Sequence, residues 1–307
     1  MSTVHWLALT QVAGIGGVTV RKLLDQFGDI EAVFEASVEE LDAVPRVSER
    51  AAQAIRAARL DELEAELWHL SDEGIGILTW DDEEYPANLR AVADSPPLLF
   101  LRGDLLEEDE GAVAIVGTRQ PSVDGRQIAE TLGRELASRG LTVVSGLATG
   151  IDTAAHEGAL AAGGRTLAVL GSGVRNTHPR ENCELAERIV SQGAVLSELH
   201  PGAPPGGRQL MARNRIVTGL SKAAIVVEAG EHSGSLDAAK RARKQGRLVC
   251  AVDIGSGGTT ELLQTGALHI PLPDIDFDWL VDRITRQRVA PLEPPDPRPQ
   301  QLRLLSG

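Results

Sequence analysis

The chain of 307 residues contains two cysteines, Cys183 and Cys250. Two are too few for a disulfide framework and suit a reducing compartment. Aromatic residues are equally scarce, with four Trp, four Phe and one Tyr. Base stacking on aromatic rings, the usual platform for a single nucleic-acid strand, is therefore poorly supplied. Any nucleic-acid binding has to rest on phosphate contacts and should depend strongly on salt. No apolar run approaches the roughly 20 residues that cross a bilayer. The start, MSTVHWLALTQ, has no basic region of a secretory signal. A cytoplasmic protein with no membrane partner is expected. The first strand of the α/β region leads into GTRQPSVDG rather than G-x-G-x-x-G, and no acidic residue closes the second strand. G-x-x-x-x-G-K-[ST] is also missing. These absences exclude the dinucleotide and P-loop fingerprints, and no cofactor or metal is expected.

The formal net charge is −14, which at first opposes a polyanionic partner. Its distribution changes that reading. Residues 61–110 hold 16 acids against 2 bases, whereas residues 111–307 hold 20 acids against 22 bases. Within 206–250 there are 9 Lys/Arg against 3 Asp/Glu. A near-neutral domain with a local basic stripe can bind nucleic acid. The plainer reading is that this stripe is a solvated helix face.

Four regions follow from the pattern. Residues 1–60 read as a small all-helical, helix-hairpin-helix (SAM-like) domain. Gly14-Ile15-Gly16 forms the first hairpin, with Val20, Leu23 and Leu24 inward on the next helix. A second turn at Pro45 precedes an alanine-rich helix, with Arg46-Val47-Ser48 where hairpin glycines would sit. Such a domain could grip DNA phosphate through hairpin N–H groups, or serve as a protein-interaction module, which the acidic run behind it favours. Residues 61–110 form an acidic bridge packing on the sheet domain: a helix ending at Gly74, a strand GILTW, and irregular DDEEYPANL and DSPPLLFLRGD. In residues 111–277, AVAIVGT, LTVVSG, RTLAVLG, GAVLSE, AAIVVEA and RLVCAVD are short apolar runs alternating with helices such as DGRQIAETLGRELASRG. Ile128, Leu132 and Leu136 give that helix one buried face. Strands apolar on both faces predict an α/β fold, a doubly wound parallel sheet with ligands at the strand carboxyl ends. Residues 278–307 read as a disordered proline-rich tail.

The turns after the strands are GTRQPSVDG, SGLATGID, GSGVRNTHP, SELHPGAPPGG and EAGEHSGSLDAA. Each sets glycine beside Ser, Thr, Arg or His. Small residues let a backbone approach a ligand, and open N–H groups at the next helix start attract an anion. Five such turns on one sheet edge point to a phosphate-bearing ligand.

The blocks GTRQPSVDGR, SGLATGIDTAAHEGAL, TLAVLGSGV, GAVLSELHPG, ARNRIVTGLS, VVEAGEHSGSL and QGRLVCAVDIG resemble the DNA-processing protein A family, also called Smf. The likeness runs from about 75 to 271. It implies an extended Rossmann-like fold, single-stranded DNA binding, a homodimer, delivery of DNA to a strand-exchange recombinase during natural transformation, and no catalysis. Carried over position by position, Gly117, Thr118 and Arg119 form the first motif, with Arg119 on a backbone phosphate. Ser145, Gly146 and Gly150 form the second, with Asp152 orienting the loop or capping the helix. His156 is either an orienting residue of the site or a satisfied buried histidine. Gly171 and Gly173 of the third turn are expected to bind phosphate as well. One of Arg213 and Arg215 should contact phosphate and the other be structural. Ser233, Gly234 and Ser235 offer N–H and hydroxyl donors. Lys240, Arg243 and Lys244 come from the basic helix alone. The chain departs from the family at His178-Pro179, where Tyr-Pro is usual, at Asp237 and at Asp253-Ile254-Gly255, and a C-terminal winged helix is not expected.

The alternative is a nucleotide-binding protein or a phosphoribohydrolase on a related fold, in which Met211, Arg213 and Asp237 would serve the reaction. A mononucleotide needs one pocket, whereas a DNA strand needs a groove continuous with the basic helix.

Overall fold

The computed structural model describes residues 2–231 and 233–290. The described residues form an α/β fold around a nine-stranded sheet of order β1-β2-β6-β5-β4-β3-β7-β8-β9. The strands are β1 Gly76–Thr79, β2 Leu98–Gly103, β3 Val113–Val116, β4 Val143–Ser145, β5 Thr166–Val169, β6 Gly193–Ser197, β7 Ala223–Val226, β8 Leu248–Val252 and β9 Leu268–Ile270. From β6 to β9 all neighbours pair in parallel, with Val113 opposite Val143 on one side and Ala223 on the other. β2 joins β6 antiparallel, and β1 joins β2 antiparallel.

Both faces of this sheet are buried, which is why its strands read as unbroken apolar runs. Val113 and Ile115 of β3 lie in one core, and Ala114 and Val116 lie in the other. The helix Val123–Ala137 buries Leu132 and Leu136 and half-buries Ile128.

Three segments depart from expectation, the first being the short helix Ala87–Arg90 at the end of DDEEYPANL. DSPPLLFLRGD is not wholly irregular, because Pro96 and Pro97 precede β2 rather than interrupt it. Leu98–Leu101 are then free to form ladder bonds and are all buried. The chain does not thin at 278 either. The helix Phe277–Thr285 is capped by the Asp276 carboxylate on the Trp279 N–H (2.9 Å) and buries Leu280 and Ile284. Residues 291–307 of the expected tail lie outside the described residues.

The N-terminal helices share a core with the sheet domain. The indole of Trp6 donates to Asp81 (2.7 Å) and packs edge-on against Trp80. Arg21 lies over the Trp80 ring at 4.2 Å and donates to the Val92 carbonyl and the Ser95 hydroxyl. The hairpin glycines Gly14 and Gly16 are exposed, but Gly17, the first residue of the helix Gly17–Phe27, is buried against the Ser95 carbonyl. The start of that helix therefore faces its own chain. No helix among the described residues is long and apolar enough to cross a membrane.

Candidate functional site

Strands β3 and β7 are sequence-distant neighbours, and the helices after them leave in opposite senses along the sheet. This is the topological switch point, where an open α/β sheet leaves a crevice at its carboxyl edge. A cavity of about 400 Å³ opens there, lined by Gly117, Thr118 and Arg119 after β3, by Ala148 and Asp152 after β4, and by Ser233, Gly234 and Ser235 after β7. The segment from Leu210 to Asn214 closes it, with Leu210, Met211 and Arg213 on the wall. A smaller recess of about 50 Å³ adjoins it, lined by Arg119, Gly146, Thr149, His178 and Arg213.

The second motif holds its helix start only partly open. Gly150 has φ +85°, and the helix Ile151–Ala161 begins after it. The Ile151 N–H donates to the Thr118 carbonyl (3.2 Å) and the Thr153 N–H to the Ala148 carbonyl (3.2 Å). A Cβ on Gly150 would lie 2.5 Å from the Thr118 carbonyl oxygen, so the close approach is to the protein's own loop. Ser145 is buried, and its hydroxyl donates to the Ile115 carbonyl (2.6 Å). The Gly146 N–H donates to Asp152 (3.1 Å). Ser145 and Gly146 are therefore framework rather than phosphate donors, while the Gly150 and Asp152 N–H groups meet no acceptor among the described residues. Gly171 packs against the backbone of Leu210, and Gly173 packs against the carbonyls of His200 and Pro201. The Gly173 N–H is occupied by the Ala203 carbonyl (2.9 Å). Gly173 is therefore not a phosphate donor, contrary to expectation, because its N–H is already used.

What the second motif builds is a seat for Arg213. Its guanidinium occupies the place of the missing Gly146 side chain: a Cβ there would fall 1.0 Å from Nη1. Asp152, 5% exposed, stands 3.8 Å from Nη1 and also accepts from Gly146 and Ala148 N–H groups. Burial pushes the Asp152 carboxyl above its usual range, opposed by Arg213 and these N–H groups. Burial also lowers the pKa of Arg213, Asp152 opposing that shift and Arg119 adding to it. Arg213 Nε has no hydrogen-bond partner among the described residues. Arg119 is exposed and has no acidic partner within ion-pair distance among the described residues. Two cations thus converge on one cavity without an acid for each.

The helix start after β7 is the more open one. In the helix Gly234–Lys244, the Leu236 N–H returns to the Ser233 carbonyl (3.1 Å), while Gly234 and Ser235 N–H groups meet no acceptor among the described residues. The Ser233 and Ser235 hydroxyls bond each other (2.8 Å) at the cavity wall. Asn214, which sequence reasoning did not single out, ties this turn down by donating to the Gly234 carbonyl (3.1 Å). Leu210 and Ala148 were also missed; they flank the motif residues and supply apolar wall.

Several expected contacts lie elsewhere. Arg215 is held by both oxygens of Glu198 (2.5 and 2.6 Å) and by the Asp94 carbonyl (2.8 Å), so it is the structural member of the pair. Arg243 closes the end of the helix Gly257–Gln264 by donating to the Thr265 carbonyl and hydroxyl, both at 3.1 Å. Lys240 and Lys244 are exposed on the basic helix, outside the cavity lining. Asp237 accepts from Arg241 (2.7 Å) and from Asn214 (3.3 Å). His156 is fully buried, and its Nδ1 lies 2.7 Å from the Thr166 hydroxyl. That hydroxyl gives its proton to the Val143 carbonyl (2.8 Å), so Nδ1–H is the donor. Burial first, and then Arg213, pull the His156 pKa down to about 3. The acidic bridge reaches the same sheet edge: Glu73 pairs with Arg175 (2.6 Å) after β5, and Glu66 pairs with His200 after β6.

These residues fall within a known sequence pattern. The family described as DNA recombination-mediator protein A matches residues 76–275. The SAM-like helix-hairpin-helix tandem matches residues 7–59. The DNA processing protein DprA of Bacillus subtilis (strain 168) is 38% identical over 218 residues, covering 69% of this chain and 73% of the relative. The X-ray structure of DNA processing protein A from Streptococcus pneumoniae aligns with a TM-score of 0.70 at 32% identity, covering 87% of this chain and 94% of that one. DNA processing protein A from Helicobacter pylori, solved for its single-stranded DNA binding mode, aligns with a TM-score of 0.60 at 30% identity, covering 68% of this chain and 94% of that one.

Proposed function

The chain belongs to the DNA recombination-mediator protein A family, and from that premise we propose that it binds single-stranded DNA by its phosphate backbone at the switch-point cavity. The observation that carries this reading is the convergence on one cavity of Arg119, Arg213 and the N–H groups of Gly234 and Ser235, which meet no acceptor among the described residues. Guanidinium groups pair with phosphate oxygens through two parallel N–H bonds, and a helix start adds backbone donors. Lys240 and Lys244 extend positive charge beyond the cavity along the helix Gly234–Lys244. A backbone leaving the cavity would follow it. The protein then protects incoming DNA and passes it to a strand-exchange recombinase, acting as a cytoplasmic homodimer without a cofactor.

We read it as a binding protein rather than an enzyme. The acid that a phosphoribohydrolase reading would use, Asp237, already accepts from Arg241 and Asn214. That engagement holds the carboxylate away from general-base work.

Fluorescence anisotropy with a labelled oligo-dT strand and its duplex, across a salt series, tests the proposal. Tighter binding of the single strand is expected, with log K falling by about 0.7 per log unit of salt for each phosphate neutralised. Absence of binding at low salt would overturn it and move the assignment to a mononucleotide pocket.

A further inference from the structure

Resting on the reading of the cavity as a phosphate-backbone site, we propose that Glu228 is a positioning residue that clamps both ends of the Arg119 loop. Glu228 lies just past β7, on the strand beside β3. Its main-chain carbonyl accepts the Thr118 N–H at 2.8 Å. Its carboxylate oxygen Oε2 accepts the Ser122 N–H at 3.0 Å and the Ser122 hydroxyl at 2.9 Å. The Ser122 hydroxyl in turn accepts the Gly125 N–H at 3.0 Å, which starts the helix Val123–Ala137. One residue thus fixes the loop from Thr118 to Ser122 at its first and last positions. Arg119 is the cation held between them.

Gly125 makes this approach possible. A Cβ at that position would lie 2.0 Å from Oε2 of Glu228. Within the loop the Gln120 N–H closes on the Thr118 hydroxyl (3.2 Å), so little slack remains. Arg119 itself is exposed, and among the described residues its side chain has no ion pair or hydrogen bond to fix it. A long side chain costs conformational entropy when it is immobilised on a ligand. A fixed backbone beneath it lowers that cost.

The sign of the effect separates this role from simple electrostatics. Glu228 is an anion beside a site for an anion. By Coulomb's law alone, removing its charge strengthens DNA binding. The clamp requires the reverse, because the Ser122 donors lose their acceptor and the Arg119 loop is released.

The test uses the full chain and oligo-dT anisotropy at fixed salt, with thermal melts to confirm folding. Glu228→Ala is expected to weaken binding roughly tenfold, the scale of one charge-assisted hydrogen bond. Glu228→Gln keeps an acceptor oxygen and is expected to recover most of that loss. Ser122→Ala keeps Glu228 and should weaken binding in the same direction, which covers the case in which Glu228→Ala fails to fold. Asp124→Asn gives the Coulomb baseline: Asp124 is exposed in the first turn of the neighbouring helix and is expected to leave affinity unchanged or raised. Glu228→Ala should add nothing in an Arg119→Ala background. Glu228→Ala binding as tightly as wild type or tighter, or weakening Arg119→Ala by the same factor as wild type, overturns the clamp while leaving the DNA site standing. Wild type that does not bind oligo-dT, or Arg119→Ala that binds as wild type, overturns the site and the clamp together.

Discussion

Replacing Gly146 with alanine adds a single methyl group, yet it should evict a buried cation. The added carbon would lie 1.0 Å from Nη1, 1.8 Å from Cζ and 2.1 Å from Nη2 of Arg213. No small shift relieves contacts that short, so the guanidinium has to leave its seat. Asp152 would then stay buried without its cation, keeping the Gly146 and Ala148 N–H groups and the nearby Ser145 hydroxyl. Breaking a buried pair by removing one partner typically costs about 3–5 kcal/mol. The 3.8 Å separation and the two N–H bonds argue for the lower end here, about 3 kcal/mol. Urea unfolding of Gly146→Ala should therefore lose about 3 kcal/mol. Single-strand affinity should fall by the contribution of one charged hydrogen-bond donor, about 1.5–3 kcal/mol. The decisive comparison is a cycle with Arg213→Ala. Once the guanidinium is gone, a methyl on Gly146 has space, and the second substitution should cost well under 1 kcal/mol. If Gly146→Ala costs as much in the Arg213→Ala background as alone, the seat described here is wrong.

Further substitutions separate binding from stability. Arg119→Ala should leave the melting temperature unchanged and weaken oligo-dT binding by about 1–3 kcal/mol, with a shallower salt slope; an unchanged affinity at matched salt would remove Arg119 from the site. Arg215→Ala should do the opposite. It orphans Glu198, so the melt should drop by several degrees, while the salt slope of the folded protein stays as in wild type. His156 adds a pH dependence. Its folded pKa of about 3 lies below the ordinary 6.5, so only the unfolded state takes up its proton between those values. The stability from His156 is complete above pH 6.5 and is lost by about 1.4 kcal/mol per pH unit as pH falls from 6.5 toward 3. Between pH 7 and 5, urea unfolding of wild type should lose about 2 kcal/mol more than that of His156→Leu. Equal losses would show that His156 is not buried in its neutral form.

The sheet was legible where burial on both faces makes a strand one apolar run, as in AVAIV and AAIVV. It was not legible at β2, where Pro96-Pro97 masks a strand that starts directly after them. The helix Phe277–Thr285 was hidden by the proline-rich residues that follow it. At the site, the turns themselves could be read from glycine next to Ser, Thr and Arg. Which N–H groups stay open could not, because their partners are distant in sequence. The Ile151 N–H is filled by Thr118, across 33 positions, whereas Gly234 and Ser235 have no such neighbour among the described residues. The same holds for the arginines. Arg213 and Arg215 are two positions apart, and only the fold places Asp152 beside one and Glu198 beside the other. Arg243 looks like part of a basic stripe until the Thr265 carbonyl is placed under it.

The central claim is that a DNA backbone sits where the turns after β3 and β7 meet. Hydrogen exchange with and without oligo-dT tests it most directly. Slowed exchange in segments 117–120 and 233–236, with the already bonded N–H groups of Ile151 and Thr153 little changed, is the predicted result. Protection confined to the Gly14–Gly16 hairpin, or to no segment at the carboxyl edge of the sheet, would contradict it.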